Sequence, residues 1–314
     1  MLELAQAWDA ALDARPEDQG PWRVLADVLL SLGFEQGELM HLELDLELGP
    51  LRGLARGRHS ELRMALPRLV APQGLTLKVA FVHRGALLEC RADAAELTGP
   101  ADDPRWHSLQ RLWLHFPTQA AVPRTPLAGS TLRRVESLGL LTPAALDVLL
   151  EGPPRAHLAG LAMLARHPEG AARWERRWSA LFATHPRLRR LSFTAESWED
   201  ERQSAPPVDD WLDPLVGAAL DEVTVAVAPS HLPALAAWRR RTAPAFALVA
   251  TLGGPLPPIE VLPDALVLRT ADTPRPEDLA SAERLLRSVW PTQPPPLRWR
   301  VLKAPTAPRA LRPG

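Results

Sequence analysis

The stretch Leu109-Gln-Arg-Leu-Trp-Leu-His-Phe116 constrains the fold more than any other, because later segments repeat its pattern. A Leu-x-x-apolar run begins again at Leu132 (LRRVES), Leu158 (LAGLAM), Leu188 (LRRLSF) and Leu220 (LDEVTV). The starts lie roughly 23–32 residues apart and most precede a helix-like run, the period of a solenoid whose units each supply one strand and one helix. Alternate residues of a strand face opposite sides, so the leucines would line the core. Arg111, Trp113 and His115 of the first strand would then face the concave side. Arg134 and Glu136, Arg190, Ser192 and Thr194, and Glu222, Thr224 and Ala226 take the same face on the later strands.

Ahead of this array the chain reads as helical. Residues 2–14 carry a one-sided stripe of Leu4, Ala7, Trp8, Ala11 and Leu12. Pro21 suits the first turn of a second helix that runs from Trp22 to about Leu32, with Gly33 as its C-terminal cap. That helix is expected to bury Val24, Leu25, Val28, Leu29 and Leu32. A third segment, Glu35 to Leu48, ends in a strand-like alternation, yet it continues Gly37-Glu-Leu-Met-His41 without a break and is read as helix. Residues 49–73 form a basic connector with a short helix near Ser60–Leu66, and Leu75–Gly85 reads as a strand that enters the repeat body. The expected divisions are 1–50 for the helical domain, 51–105 for the connector and first strands, 106–303 for the repeat body and 304–314 for a frayed tail.

Pro16-Glu-Asp18, Val24-Leu-Ala-Asp27-Val-Leu29, Gly33 and Gly37-Glu38-Leu-Met40 resemble the bacterial repeat-companion domain, a helical module that often precedes leucine-rich repeats. That family's tyrosine and tryptophan positions hold Leu25 and Val28 here, and its two acids are replaced by Leu30 and Ser31. Phe81, Arg84 and Gly85 loosely match a Phe…Arg-Gly segment that tends to follow the domain. The strand–helix alternation from Leu109 onward resembles leucine-rich-repeat proteins of the ribonuclease-inhibitor-like class. The asparagine that turns the chain in those repeats is missing, its place falling at Pro117, Leu140, Arg166, Glu196 and Ala228. The resemblance implies an α/β fold, a leucine-rich-repeat-like solenoid with an N-terminal helical cap. A compact α/β domain with a mixed sheet is the alternative.

Within the array, Thr142-Pro143 opens a helix to Leu150, and Ala171–Phe182 forms a longer one with Trp174 and Trp178 on one face. Strands are expected at Leu188–Thr194, Glu222–Ala228, Phe246–Leu252, Ala265–Thr270 and Leu297–Leu302, with helices at His231–Arg241 and Pro276–Trp290. Gly99–Pro104 reads as a turn-rich break.

The chain holds 36 basic and 37 acidic residues, so no global field favours nucleic acid or anionic lipid. Arg173-Trp-Glu-Arg-Arg-Trp178 and Trp238-Arg-Arg-Arg241 pair guanidinium with indole, but helical spacing turns the indoles inward and the arginines outward. The one cysteine, Cys90, follows an apolar run and reads as a buried structural thiol. No basic-then-apolar leader and no apolar run of about 18 residues is present, which points to a cytoplasmic protein without a membrane span.

No catalytic pattern survives inspection. A Gly-x-Ser-x-Gly elbow is absent, and Gly253-Gly254 lacks the lysine and hydroxyl of a phosphate loop. Histidines are scattered, and His107 and His115 read as surface or satisfied side chains. Glu38, Glu43, Asp45 and Glu47, and likewise residues 196–201, read as solvated acids rather than an acid–base pair. No motif calls for a cofactor or a metal. The expected function is a non-catalytic scaffold or adaptor that binds a protein partner through the concave face. Self-assembly into a structure and an enzyme with an unrecognised site are the alternatives. Trp113 beside Arg111 has the makeup of a binding hot spot, or else packs under the helical domain or a loop.

Overall fold

The computed structural model describes residues 2–72, 79–93, 103–115, 122, 127, 129, 132–165, 171–195, 208–252, 256–290 and 292–302. The expected turn at 99–102, the acids at 196–201, Gly253-Gly254 and the 304–314 tail lie outside them. The chain divides into two compact units, Met1–Leu161 with Ala183–Arg187 and Ala162–Phe182 with Leu188–Gly314.

The first unit opens with α1 (Leu2–Asp13), α2 (Gly20–Ser31), α3 (Glu35–Leu48), α4 (Gly53–Met64) and α5 (Leu66–Val70). Leu4, Trp8, Ala11, Leu25, Leu29, Met40 and Leu44 share one core. In α2 the buried stripe runs Trp22, Leu25, Ala26, Leu29. Val24 and Leu32, expected inside, are 57% and 51% exposed because they fall off that i, i+3, i+4, i+7 face. The alternating tail of α3 is helical, and only Leu44 of its last leucines is buried. α2 and α3 touch at Gly37, where any Cβ would overlap the Ala26 carbonyl and sit 2.9 Å from Leu30 N. The connector is more helical than expected, since α4 and α5 fill it.

β1 (Val79–His83) and β2 (Ala86–Asp93) form an antiparallel hairpin through Arg84-Gly85. Both turn residues have positive φ, +48° and +72°, as a two-residue hairpin turn of this hand requires. β3 (Arg111–His115) and β4 (Ser137–Leu141) follow in parallel, with Leu112 opposite Cys90 and Leu138. The run LRRVES is not a strand from its start. Leu132–Arg134 is a turn, and β4 begins only at Ser137. Thr142 then caps α6 (Pro143–Glu151) by accepting from Ala145 N at 3.2 Å.

β5 (Gly160–Ala165) and α7 (Ala171–Thr184) cross the division between units. In the second unit, β6 (Arg190–Ala195), β7 (Glu222–Val227) and β8 (Ala247–Leu252) are parallel neighbours, separated in sequence by α8 (Val208–Leu212) and α9 (Leu232–Arg241). β8, β9 (Ile259–Val261) and β10 (Leu266–Thr270) then form an antiparallel meander with no helix between them among the described residues. That interrupts the expected strand–helix rhythm. α10 (Pro276–Val289) restores it, and β11 (Leu297–Val301) pairs parallel to β10. Within each unit the strands lie in the sheet in chain order.

Trp174 and Trp178 are buried and stacked at 5.1 Å, and Trp178 meets Phe193 edge-on at 5.6 Å. Trp238 stacks on Phe246 and donates from Nε1 to Asp213 at 2.8 Å. These indoles face the core, as their helical spacing predicts, but Arg177, expected outside, is buried with its guanidinium 5.2 Å from the Trp174 ring. Among the described residues no helix is long and apolar enough to cross a membrane.

Candidate functional site

Strand alternation gives each unit one sheet face of buried leucine, valine and cysteine and a second, open face. In the first unit the open face carries Glu89 and Arg91 of β2, Arg111 and Trp113 of β3, and Ser137 and Gly139 of β4. Arg111 is exposed and pairs with the neighbouring Glu89 at 2.8 Å. Trp113 is half-buried because its ring lies across Gly139. A Cβ there would stand 2.5 Å from Cδ2 and Cζ3 of the indole. The open strand therefore presents an indole and a guanidinium side by side, each held by a neighbouring strand. His115 ends β3, and its side chain lies outside the described residues.

Arg134 is not on this face. It is 8% exposed in the turn before β4, where it bonds Asp9 Oδ1 at 3.2 Å, Asp13 Oδ1 at 2.8 Å and the Asp9 carbonyl at 3.1 Å. Arg133 reaches the same helix through Asp9 Oδ2 and the Ala5 carbonyl. This arginine pair clamps α1 to the sheet, because a turn cannot alternate its side chains as a strand does. Glu136 is exposed just before β4, and its carbonyl accepts from Ala159 N and Gly160 N.

The helical domain is tied down again at the hairpin. Arg84 donates twice to Glu47 at 2.8 Å and once to the Pro16 carbonyl at 2.7 Å, and its guanidinium lies 5.5 Å from the Trp22 ring. Gln36 donates to the Gly85 carbonyl at 2.8 Å. The Arg84 bonds hold the Glu47 carboxyl below the usual range despite partial burial. The acids read as solvated are thus paired. Glu38 binds Arg58, Glu43 binds His59 and Arg63, and Asp45 binds Arg23. His107 is neither exposed nor satisfied: it is buried, and its Nδ1 has no hydrogen-bond partner. Burial, then the charge of Arg133, lowers its pKa. The Cys90 thiol is buried and its pKa is pushed up to about 12, first by desolvation.

The second unit's open face begins with β6 and β7. Arg190, Ser192 and Thr194 of β6 stand beside Glu222, Thr224 and Ala226 of β7 in register. Arg190 is exposed and the others are half-buried. A charge network crosses the following strands. Arg269 of β10 pairs with Glu222 of β7 and with Glu260 of β9 at 3.2 Å, and Arg300 of β11 reaches Glu260 at 3.4 Å. Burial works against the Arg269 charge, but the two carboxylates more than offset it and its pKa is raised. Glu260, Arg269 and Arg300 escaped the sequence reading. β9 has three residues, too few for alternation to register, although Leu297-Arg-Trp-Arg-Val301 does display it.

The structure thus brings Arg111 and Trp113 together in one unit and Arg190, Ser192, Thr194, Glu222 and Thr224 in the other. Both faces offer fixed donors and acceptors; on the second, the Thr224 hydroxyl donates to the Glu222 carboxylate at 3.2 Å. Among the described residues no three His, Cys, Asp or Glu side chains are placed to hold a metal ion. Comparison of the chain with protein-family models, curated proteins and solved structures finds no match.

Proposed function

We propose that the chain is a degenerate leucine-rich-repeat-like solenoid with a repeat-companion-like helical cap, and that it serves as a non-catalytic scaffold binding a protein partner through the open sheet face. The observation that carries this reading is the make-up of that face. Side chains on the strands of each sheet are pre-paired by their neighbours: Arg111 on β3 is held by Glu89 on the parallel β2 and stays exposed, and Arg269 is held between Glu222 and Glu260. Side chains already ordered lose less entropy when a partner docks. Trp113, anchored over Gly139 beside Arg111, supplies the aromatic–arginine pair that dominates many protein interfaces. Strand order equal to chain order, with helices between most parallel neighbours, supports the solenoid reading.

Affinity capture from a lysate of the source cells tests the scaffold role. Wild type should retain a partner that an equally folded Arg111→Ala/Trp113→Ala variant loses. Equal recovery by both forms would remove this face from the binding role.

A further inference from the structure

We propose that the free edge of β11 is a second binding site, one that takes an extended peptide with alternating acidic and apolar residues as an added strand. β10 is the one strand paired with β11 among the described residues. Leu302 N donates to Thr270 O at 2.8 Å and Leu266 N donates to Pro296 O at 3.0 Å, so the even-numbered residues face β10. Strand alternation then turns the N–H and C=O groups of Leu297, Trp299 and Val301 toward the free edge. An unpaired row of this kind is a template for another strand.

The side chains specify what that strand should carry. Arg298 and Arg300 lie on the open face, in register with Val267 and Arg269. Arg300 reaches Glu260 only at 3.4 Å, and Arg269 already holds that carboxylate, so positive charge is in surplus at the edge. On the opposite face Trp299 is 46% exposed and Val301 38% exposed. A neighbouring strand with acids beside Arg298 and Arg300 and apolar residues beside Trp299 and Val301 answers both faces.

The same geometry disfavours two other occupants. A second copy of β11 paired antiparallel about Trp299 would set Arg298 against Arg300, a like-charge opposition. Single-stranded nucleic acid stacks bases on an aromatic ring while guanidinium groups track its phosphates. Here the indole and the two guanidinium groups are on opposite faces. Strand addition engages the backbone of the β11 edge, so it stands or falls without the open-face reading even though Arg298 and Arg300 lie on that face.

The test is fluorescence anisotropy on the full chain with a labelled peptide of alternating glutamate and valine. A peptide of the same composition in separate blocks and an oligothymidylate serve as comparisons. Val301→Pro removes an outward N–H while sparing the pairing to β10, a place where an edge strand tolerates proline. Saturable binding of the alternating peptide is expected, weakened at least about tenfold by Val301→Pro and by Arg298→Gln/Arg300→Gln, with unchanged circular dichroism. The second variant decides the matter if the first fails to fold. No saturation at millimolar peptide, equal binding of the block peptide, or an oligothymidylate that binds more tightly would each overturn the proposal. So would a chain dimer that either variant dissolves.

Discussion

The Trp113 indole fills the space above Gly139 on the adjacent strand, leaving no room there for a Cβ. A glycine inside a strand ordinarily weakens it, and here it admits a neighbouring side chain. Gly139→Ala should therefore expel the ring and cost about 1–3 kcal/mol in urea unfolding. Trp113→Ala should relieve most of that cost, so a double-mutant cycle should return a coupling of at least about 1 kcal/mol. Additive effects would show that the ring is not seated on the glycine.

Arg84 joins the hairpin to the helical domain through Glu47, Pro16 and Trp22. Arg84→Lys keeps the charge but loses the forked contact, and should destabilise the first unit by about 2 kcal/mol. Arg84→Ala should cost about 3 kcal/mol, because it leaves Glu47 without its cation. Hydrogen exchange should report the loss in α1–α3 first. Unchanged protection there would refute the tie.

Stability should fall on acidification in two windows. Burial holds His83 and His107 below the ordinary imidazole value of 6.5. As the pH drops past that value the unfolded chain binds protons that the folded one refuses, so stability declines. Asp9, Asp103 and Arg133 are the charged groups acting on His107, and replacing the imidazole by His107→Gln should make this first window shallower, leaving the part that His83 contributes. Glu47, held below its ordinary 4.5 by Arg84, adds stability that is present above 4.5 and lost below it. Thermal melts between pH 8 and 3 check both windows. A variant profile that matches wild type around pH 6 would exclude His107 as a contributor.

Cys90 is buried on the core face of β2 and its thiol is pushed up to about 12. It should resist an aromatic disulfide reagent in the native chain and react at once in denaturant. Rapid native labelling would contradict the packing of β2.

The fold was legible where side chains keep a strict period. The Trp174/Trp178 face and the Arg190–Thr194 and Glu222–Thr224 rows follow from helix or strand spacing alone, whereas in α2 Leu25 and Leu29 of the expected stripe are buried and Val24 and Leu32 are not. The reading slipped where two periods overlap or a segment is short. LRRVES has the composition of its repeat neighbours, but Arg133 and Arg134 are drawn into ion pairs with α1, partners more than a hundred positions away. No local pattern encodes such a pairing. β9 and the Glu260–Arg269–Arg300 network are likewise products of tertiary register. The acids of α3 looked solvated because their cations come from α2, α4 and the hairpin turn.

A protein partner is proposed to dock on the open sheet face. The most direct test is biolayer interferometry of the captured partner against three equally folded variants. Ser192→Arg/Thr194→Arg crowds the open face of β6, and Arg111→Ala/Trp113→Ala strips that of β3. Glu175→Ala/Ser179→Arg alters the exposed side of α7 as a control. Docking on the open face should cost one or both face variants at least about tenfold in affinity and leave the control unchanged. Full affinity in both face variants, with loss confined to the α7 control, would contradict it.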